Sequence, residues 1–171
     1  MSQTTPQVDA FATHHKKCNA YTFALLNSAT LMTQIISYLT FNGNCREAMH
    51  FYQSCLGGEL SLQTIGESPM ADQMPPEMAT CVLHSTLTKD GLSLMASDMV
   101  GEKGLVHGNA VSMMLQCESE AQIRAFYAAL SEGGEATHTL EETFWGAVFG
   151  DLRDKFGNHW LLHFDKNAQQ G

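Results

Sequence analysis

Basic side chains are scarce in this chain: nine Lys and Arg stand against 18 Asp and Glu, a net charge of −9 over 171 residues. No group of them offers a phosphate footprint and a polyanion meets repulsion, so nucleic acid is not an expected partner. Uninterrupted apolar runs are short. The stretch Tyr21 to Met32 is broken by Asn27, Ser28 and Thr30, which makes it too short and too polar to span a membrane, and no membrane partner is expected. A secretory leader does not fit either, because Lys16 and Lys17 lie far from the terminus and no small-residue cleavage site follows. Cysteine pairs are missing as well. Cys18, Cys45, Cys55, Cys81 and Cys117 are odd in number, scattered and never spaced C-x-x-C, so they read as free thiols of a cytoplasmic protein. No Ser-His-Asp order, Cys-His nucleophile or paired carboxylate stands out.

What is present points to a packed α+β chain. The 44% hydrophobic content is ordinary for a globular domain, and the length suits one compact domain or two small halves sharing a core. The ten methionines read as core filler, although Met-rich pockets also accept varied apolar ligands. The chain is organised around Glu141 to Phe164, which reads as a β-hairpin: an aromatic run Phe144 to Arg153, the turn Asp154-Lys155-Phe156-Gly157, and a returning strand Asn158 to Phe164. In that last strand His159, Leu161 and His163 share one face and Trp160, Leu162 and Phe164 the other.

An earlier segment has the same outline. Ala79 to Thr88 is a strand, Lys89-Asp90-Gly91 a turn and Leu92 to Asp98 a returning strand, with Val82 nine residues before Gly91 as Val148 is nine before Gly157. The match runs back into helices: Phe51-Tyr52 precedes Gly57-Gly58-Glu59, and Phe126-Tyr127 precedes Gly133-Gly134-Glu135. Two copies of one unit are predicted. The first opens with a strand Ile35 to Phe41 and a helix Cys45 to Leu56 capped by Asn44 and stopped by Gly57-Gly58, followed by a strand Glu59 to Ile65. A loop with Pro69 and Pro75-Pro76 separates it from the hairpin. The second has a strand Asn109 to Cys117, a helix from the Ser119 cap to Ser131 ended by Gly133-Gly134, and a strand Glu135 to Leu140. The expected organisation is an N-terminal extension over 1–33, a domain over 34–166 with repeats 35–99 and 109–165 about a linker 100–108, and a tail 167–171. Met32 as the natural start is a further expectation.

Paired βαβββ units of this size resemble the vicinal-oxygen-chelate superfamily, which includes glyoxalase I, extradiol dioxygenases and the bleomycin resistance proteins. Three stretches, Tyr38 to Leu60, Leu83 to Asp98 and Glu142 to Trp160, resemble its PhnB-like branch. The resemblance implies two βαβββ units forming a curled mixed sheet or partial barrel with a central cleft, and a homodimer. Some members of the branch carry a ubiquinone methyltransferase label, but no Gly-rich nucleotide loop is present here, and Gly57-Gly58 is explained as a helix stop. Fold alone does not give function.

Metal-using members of the superfamily place ligands on the first and last strand of each repeat, usually His and Glu. Here those positions hold Leu161 and Met95 on the last strands, Ile36 or Ser37 on the first, and Ala110 to Ser112 in the second repeat. None is a ligand for a hard cation. The expectation is therefore a protein without the superfamily metal and without a cofactor, the competing arrangement being a relocated site of His84, His107, His159 or His163. Alternation turns Tyr38 and Thr40 toward the cleft and Leu39 and Phe41 toward the helix, and makes His84 a pocket candidate suited to proton transfer. The candidate ligand-binding residues are Tyr38, Thr40, His84, Met95, Trp145, His159, Leu161 and His163, with His84 and His159 the candidates for catalysis. Phe144, Trp145 and Trp160 form either an aromatic wall or core, and Asp98, Asp151 and Arg153 are assigned to cleft rims. The function expected is binding of a small organic ligand. The alternatives are a metal-dependent or acid-base lyase, isomerase or oxygenase, and a bleomycin-resistance-like drug-sequestering protein.

Overall fold

The computed structural model describes residues 33–167. The expectations for 1–32, including Met32 as the start, lie outside those residues, as does most of the tail. Two βαβββ units follow one another. The first is β1 (Ser37–Thr40), α1 (Cys45–Leu56), β2 (Glu59–Thr64), β3 (Val82–Lys89) and β4 (Leu92–Ser97). The second is β5 (Met113–Gln116), α2 (Glu120–Leu130), β6 (Glu135–Glu142), β7 (Ala147–Arg153) and β8 (His159–Asp165). Each forms a mixed four-stranded sheet of the same order, β1-β4-β3-β2 and β5-β8-β7-β6, in which the first strand of the unit lies parallel beside the last.

The alternation read from the sequence is what shapes both sheets. Along β8 Trp160, Leu162 and Phe164 are buried, while the residues between them are half-buried. In the first sheet Leu87, Leu94 and Ala96 point into the core. Helix α1 buries Cys45, Ala48, Met49, Tyr52 and Leu56, a stripe at helical spacing, and Ile123 and Leu130 do the same for α2. All these side chains belong to one continuous core shared by the two units. Truncating one of them, Leu87 or Leu162 for example, costs about 2–5 kcal/mol.

Several strand ends differ from the sequence reading, and the partner strand gives the reason. The second unit's first strand spans Met113–Gln116 rather than Asn109 to Cys117, because Met113 pairs with Trp160 and β8 begins one residue earlier. Upstream there is nothing to pair with. Ile35 is likewise outside β1 and fully exposed. Residues Ala79 to Cys81 turn instead of extending, with Cys81 N–H donating to the Met78 carbonyl (3.0 Å). Helix α2 ends at Leu130 with Ser131 as its cap, ahead of Gly133-Gly134.

The repeated Gly-Gly pairs have a packing role beyond stopping a helix. A Cβ on Gly58 would lie 2.5 Å from the Thr88 carbonyl oxygen, and one on Gly134 would overlap the Arg153 carbonyl oxygen. In both units the chain leaving the helix crosses directly over the end of the hairpin's first strand, and only glycine fits there.

Candidate functional site

Because one face of each sheet is turned into the core, the other face is left open, and most of the residues predicted to bind a ligand fall on these two open faces. On the first sheet the register sets Tyr38 of β1 beside Met95 of β4, and Met95 beside Thr86 of β3. His84 stands two residues along β3. Its Nδ1 is 3.4 Å from the Tyr38 hydroxyl, its Nε2 is 3.1 Å from the Thr86 hydroxyl, and the Tyr38 and His84 rings stack with centroids 6.0 Å apart. Thr40, opposite Ser97, extends the same face. The alternation argument therefore brings Tyr38, Thr40, His84 and Met95 together. Tyr38 is half exposed, so its phenol edge remains open to a ligand.

On the second sheet Leu161 lies between Met114 of β5 and Asp151 of β7. His163 lies between Gln116 and Phe149 and donates from Nδ1 to the Gln116 carboxamide oxygen (2.9 Å), while His159 faces Arg153. Asp151 Oδ2 accepts from His138 Nδ1 at 2.6 Å. Met95 and Leu161 occupy equivalent places, each four residues after its turn glycine, Gly91 or Gly157, and each beside the second residue of its unit's first strand, Tyr38 or Met114. The predicted residues thus form two groups, one per sheet. Trp145 joins neither: it sits in the β6–β7 connection, more than half exposed, its ring edge-on to that of Phe144 (4.5 Å). Trp160, by contrast, is core.

Among the described residues no three His, Cys, Asp or Glu side chains gather closely enough to hold a metal ion. Hydroxyls flank both nitrogens of His84, and His163 is engaged with Gln116. His107 is exposed on the linker and borders a separate surface hollow with Arg153 and Lys155.

Two buried carboxylates correct the sequence reading. Asp98, expected at a cleft rim, is buried: Oδ1 accepts the Gly43 and Cys45 N–H groups (2.8 and 2.9 Å) and Oδ2 accepts that of Val82 (2.9 Å). It thereby caps α1 at its positive end, the role assigned to Asn44, whose side chain makes no capping bond. Asp154, read only as a turn residue, is also buried. Its Oδ1 accepts the Phe156 and Asn158 N–H groups, and its Oδ2 accepts the Tyr52 hydroxyl (2.7 Å) and the Trp160 indole N–H (2.8 Å). Asn158 Nδ2 then donates to the Tyr52 oxygen (2.8 Å), so a helix of the first unit is fastened to the last turn of the second. Burial and the neighbouring Asp154 carboxylate push the Tyr52 phenol well above its usual range. Burial likewise raises the Cys45 and Cys117 thiols to about 11 and also raises Cys55, so none of these is an activated nucleophile.

The paired units place the chain in the glyoxalase/bleomycin-resistance fold class, shared with a glyoxalase/bleomycin resistance protein from Albidiferax ferrireducens (16% identity, 75% of this chain and 95% of that one, TM-score 0.54). Within that class the chain belongs to the PhnB-like family described as 3-demethylubiquinone-9 3-methyltransferase, whose profile matches residues 33–163. The protein YjdN of Escherichia coli K12 is 30% identical over 138 residues, 75% of this chain and 93% of YjdN. The crystal structure of PA1353 from Pseudomonas aeruginosa superimposes with TM-score 0.67 at 35% identity, covering 78% of this chain and 98% of that one. The solved structure of the PhnB protein from Bacillus cereus, titled a putative 3-demethylubiquinone-9 3-methyltransferase, does so at 0.61 and 28%, covering 77% and 99%.

Proposed function

We propose that this PhnB-like protein binds a small organic molecule without a metal ion, on the open sheet faces, and that a second copy of the chain closes the cleft. The observation that carries the reading is the equivalence of Met95 and Leu161. At the matching place on both faces stands an apolar side chain with no affinity for a hard cation, framed by groups that form hydrogen bonds, Tyr38 and Thr86 on one sheet and Asp151 on the other. Tyr38 and Met114, each about half exposed on these faces, supply apolar surface for the second copy. The ligand-binding set is Tyr38, Thr40, His84 and Met95 with His159, Leu161 and His163. The four described cysteines are free thiols, in keeping with a cytoplasmic location.

A second reading, acid-base catalysis by His84, is favoured by the two hydroxyls on its ring nitrogens, which form a path for a proton between Tyr38 and Thr86. Elemental analysis of protein purified without chelators, with a thermal-shift screen of metabolites and antibiotics, tests the first reading. We expect substoichiometric metal, at least one organic compound that raises the melting temperature, and loss of that shift in His84→Ala. Stoichiometric zinc, nickel, manganese or iron, lost in His84→Ala or His159→Ala, would overturn it.

A further inference from the structure

A cavity of about 490 Å³ lies at the margin of the open faces, where the start of β4 and the β3–β4 turn meet β5 and α2. None of the residues discussed above as ligand-binding lines it. Its walls are chiefly Leu92, Leu94, Met113, Phe126 and Trp160 from the core side, with Met114 and Gln116 from the open face of β5. The volume falls within the range of small-molecule sites, and thioether and aromatic walls adapt to flat apolar bodies. The Trp160 indole N–H is already given to Asp154, so that side chain has only its apolar surface to offer.

The polar groups at the mouth define what else a ligand needs. Gln122 uses its carboxamide oxygen to accept the Glu118 N–H (2.8 Å), which leaves its NH₂ group as a donor. Lys89 Nζ donates to the Leu56 carbonyl at the end of α1 (3.0 Å) and keeps further protons. Ser93 adds a hydroxyl. Asp90 stands at the same mouth and offsets the Lys89 ammonium, so no net positive charge is left there to favour an anionic ligand.

From this lining we infer a second small-molecule site at the seam between the two units, selective for uncharged aromatic or alicyclic molecules that carry one carbonyl or hydroxyl oxygen. The apolar body lies against Met113, Phe126 and Trp160, and the oxygen accepts from Gln122 and Lys89. The site is offset from the ligand-binding set of the open faces and meets the second face at Met114 and Gln116.

Benzophenone tests it directly, being neutral, bearing one carbonyl and forming covalent adducts with nearby C–H bonds under near-ultraviolet light. Full-length Trp145→Phe protein, in which Trp160 is the remaining tryptophan of two, serves for titration. The expected result is saturable quenching of Trp160, photo-adducts confined to the peptides carrying Leu92–Leu94 and Met113–Gln116, and affinity at least tenfold lower in Ser93→Phe, whose added ring enters the mouth. The anionic analogue 4-benzoylbenzoate is expected to bind at least tenfold more weakly. Adducts centred on Tyr38, His84 or Leu161 would overturn the seam site while leaving the open faces standing. Non-saturable labelling would overturn it as well, and tighter binding of the anion would overturn the ligand class.

Discussion

Tyr52 shows how much one hydroxyl holds. It donates to Asp154 and accepts from Asn158, so Tyr52→Phe leaves a buried carboxylate short of one partner, a loss of about 1–3 kcal/mol at neutral pH. The phenol's folded-state pKa is raised, which means the native state keeps a proton that the unfolded state releases above about pH 10. That stabilisation is complete below the unfolded value and fades as pH rises through it. Urea melts at pH 7.5 and 10.5 should therefore show wild type losing stability faster than Tyr52→Phe, the gap between them narrowing at the higher pH. An unchanged gap would separate the phenol from the alkaline response. None of this was legible from sequence, where Asp154 has the look of any turn aspartate. Its partners come from the turn itself and from a helix a hundred residues away, and no local pattern records that.

At the level of the element, the sequence was most informative where a boundary is set locally. Helix α1 runs over Cys45–Leu56 as read, because its apolar stripe and Gly57 define it from within, Gly57 closing it by donating to the Gln53 carbonyl. Strand ends were read less well, because β1 ends opposite Ser97, the last residue of β4, and β5 starts within one residue of the start of β8, information held elsewhere in the chain. Which residues share a face was recoverable all the same, since the period of two survives an error in length. The Gly-Gly pairs provide the test at this level. Gly134→Ala must push the end of β7 away and should cost about 2 kcal/mol or more, whereas Gly91→Ala, with open space around its Cβ, should stay within about 0.5 kcal/mol. Chemical denaturation of both variants decides, and equal losses would refute the close-packing account.

For the whole molecule, the repeat predicted from matching motifs is present, and the sheets match in order and in parallel pairing. Their helices and inward faces merge into one core, so the halves should unfold together. Far-ultraviolet circular dichroism and the fluorescence of Trp160 in the Trp145→Phe protein are expected to give coincident urea transitions. Two separated transitions would mean that the halves are independent. The site was legible only in part at this level: alternation located both open faces, but the seam cavity depends on how two units pack, which periodicity within either unit does not encode.

The fastening of Tyr52 to Asp154 makes the two halves complementary rather than interchangeable. In the first hairpin the counterpart of Asp154 is Thr88, and the counterpart of Tyr52 is Tyr127, which gives its hydroxyl to the His138 carbonyl. The sister copies have thus become lock and key rather than twins. A synthetic gene joining two copies of either half would supply two keys or two locks, and neither symmetric chain could remake the fastening.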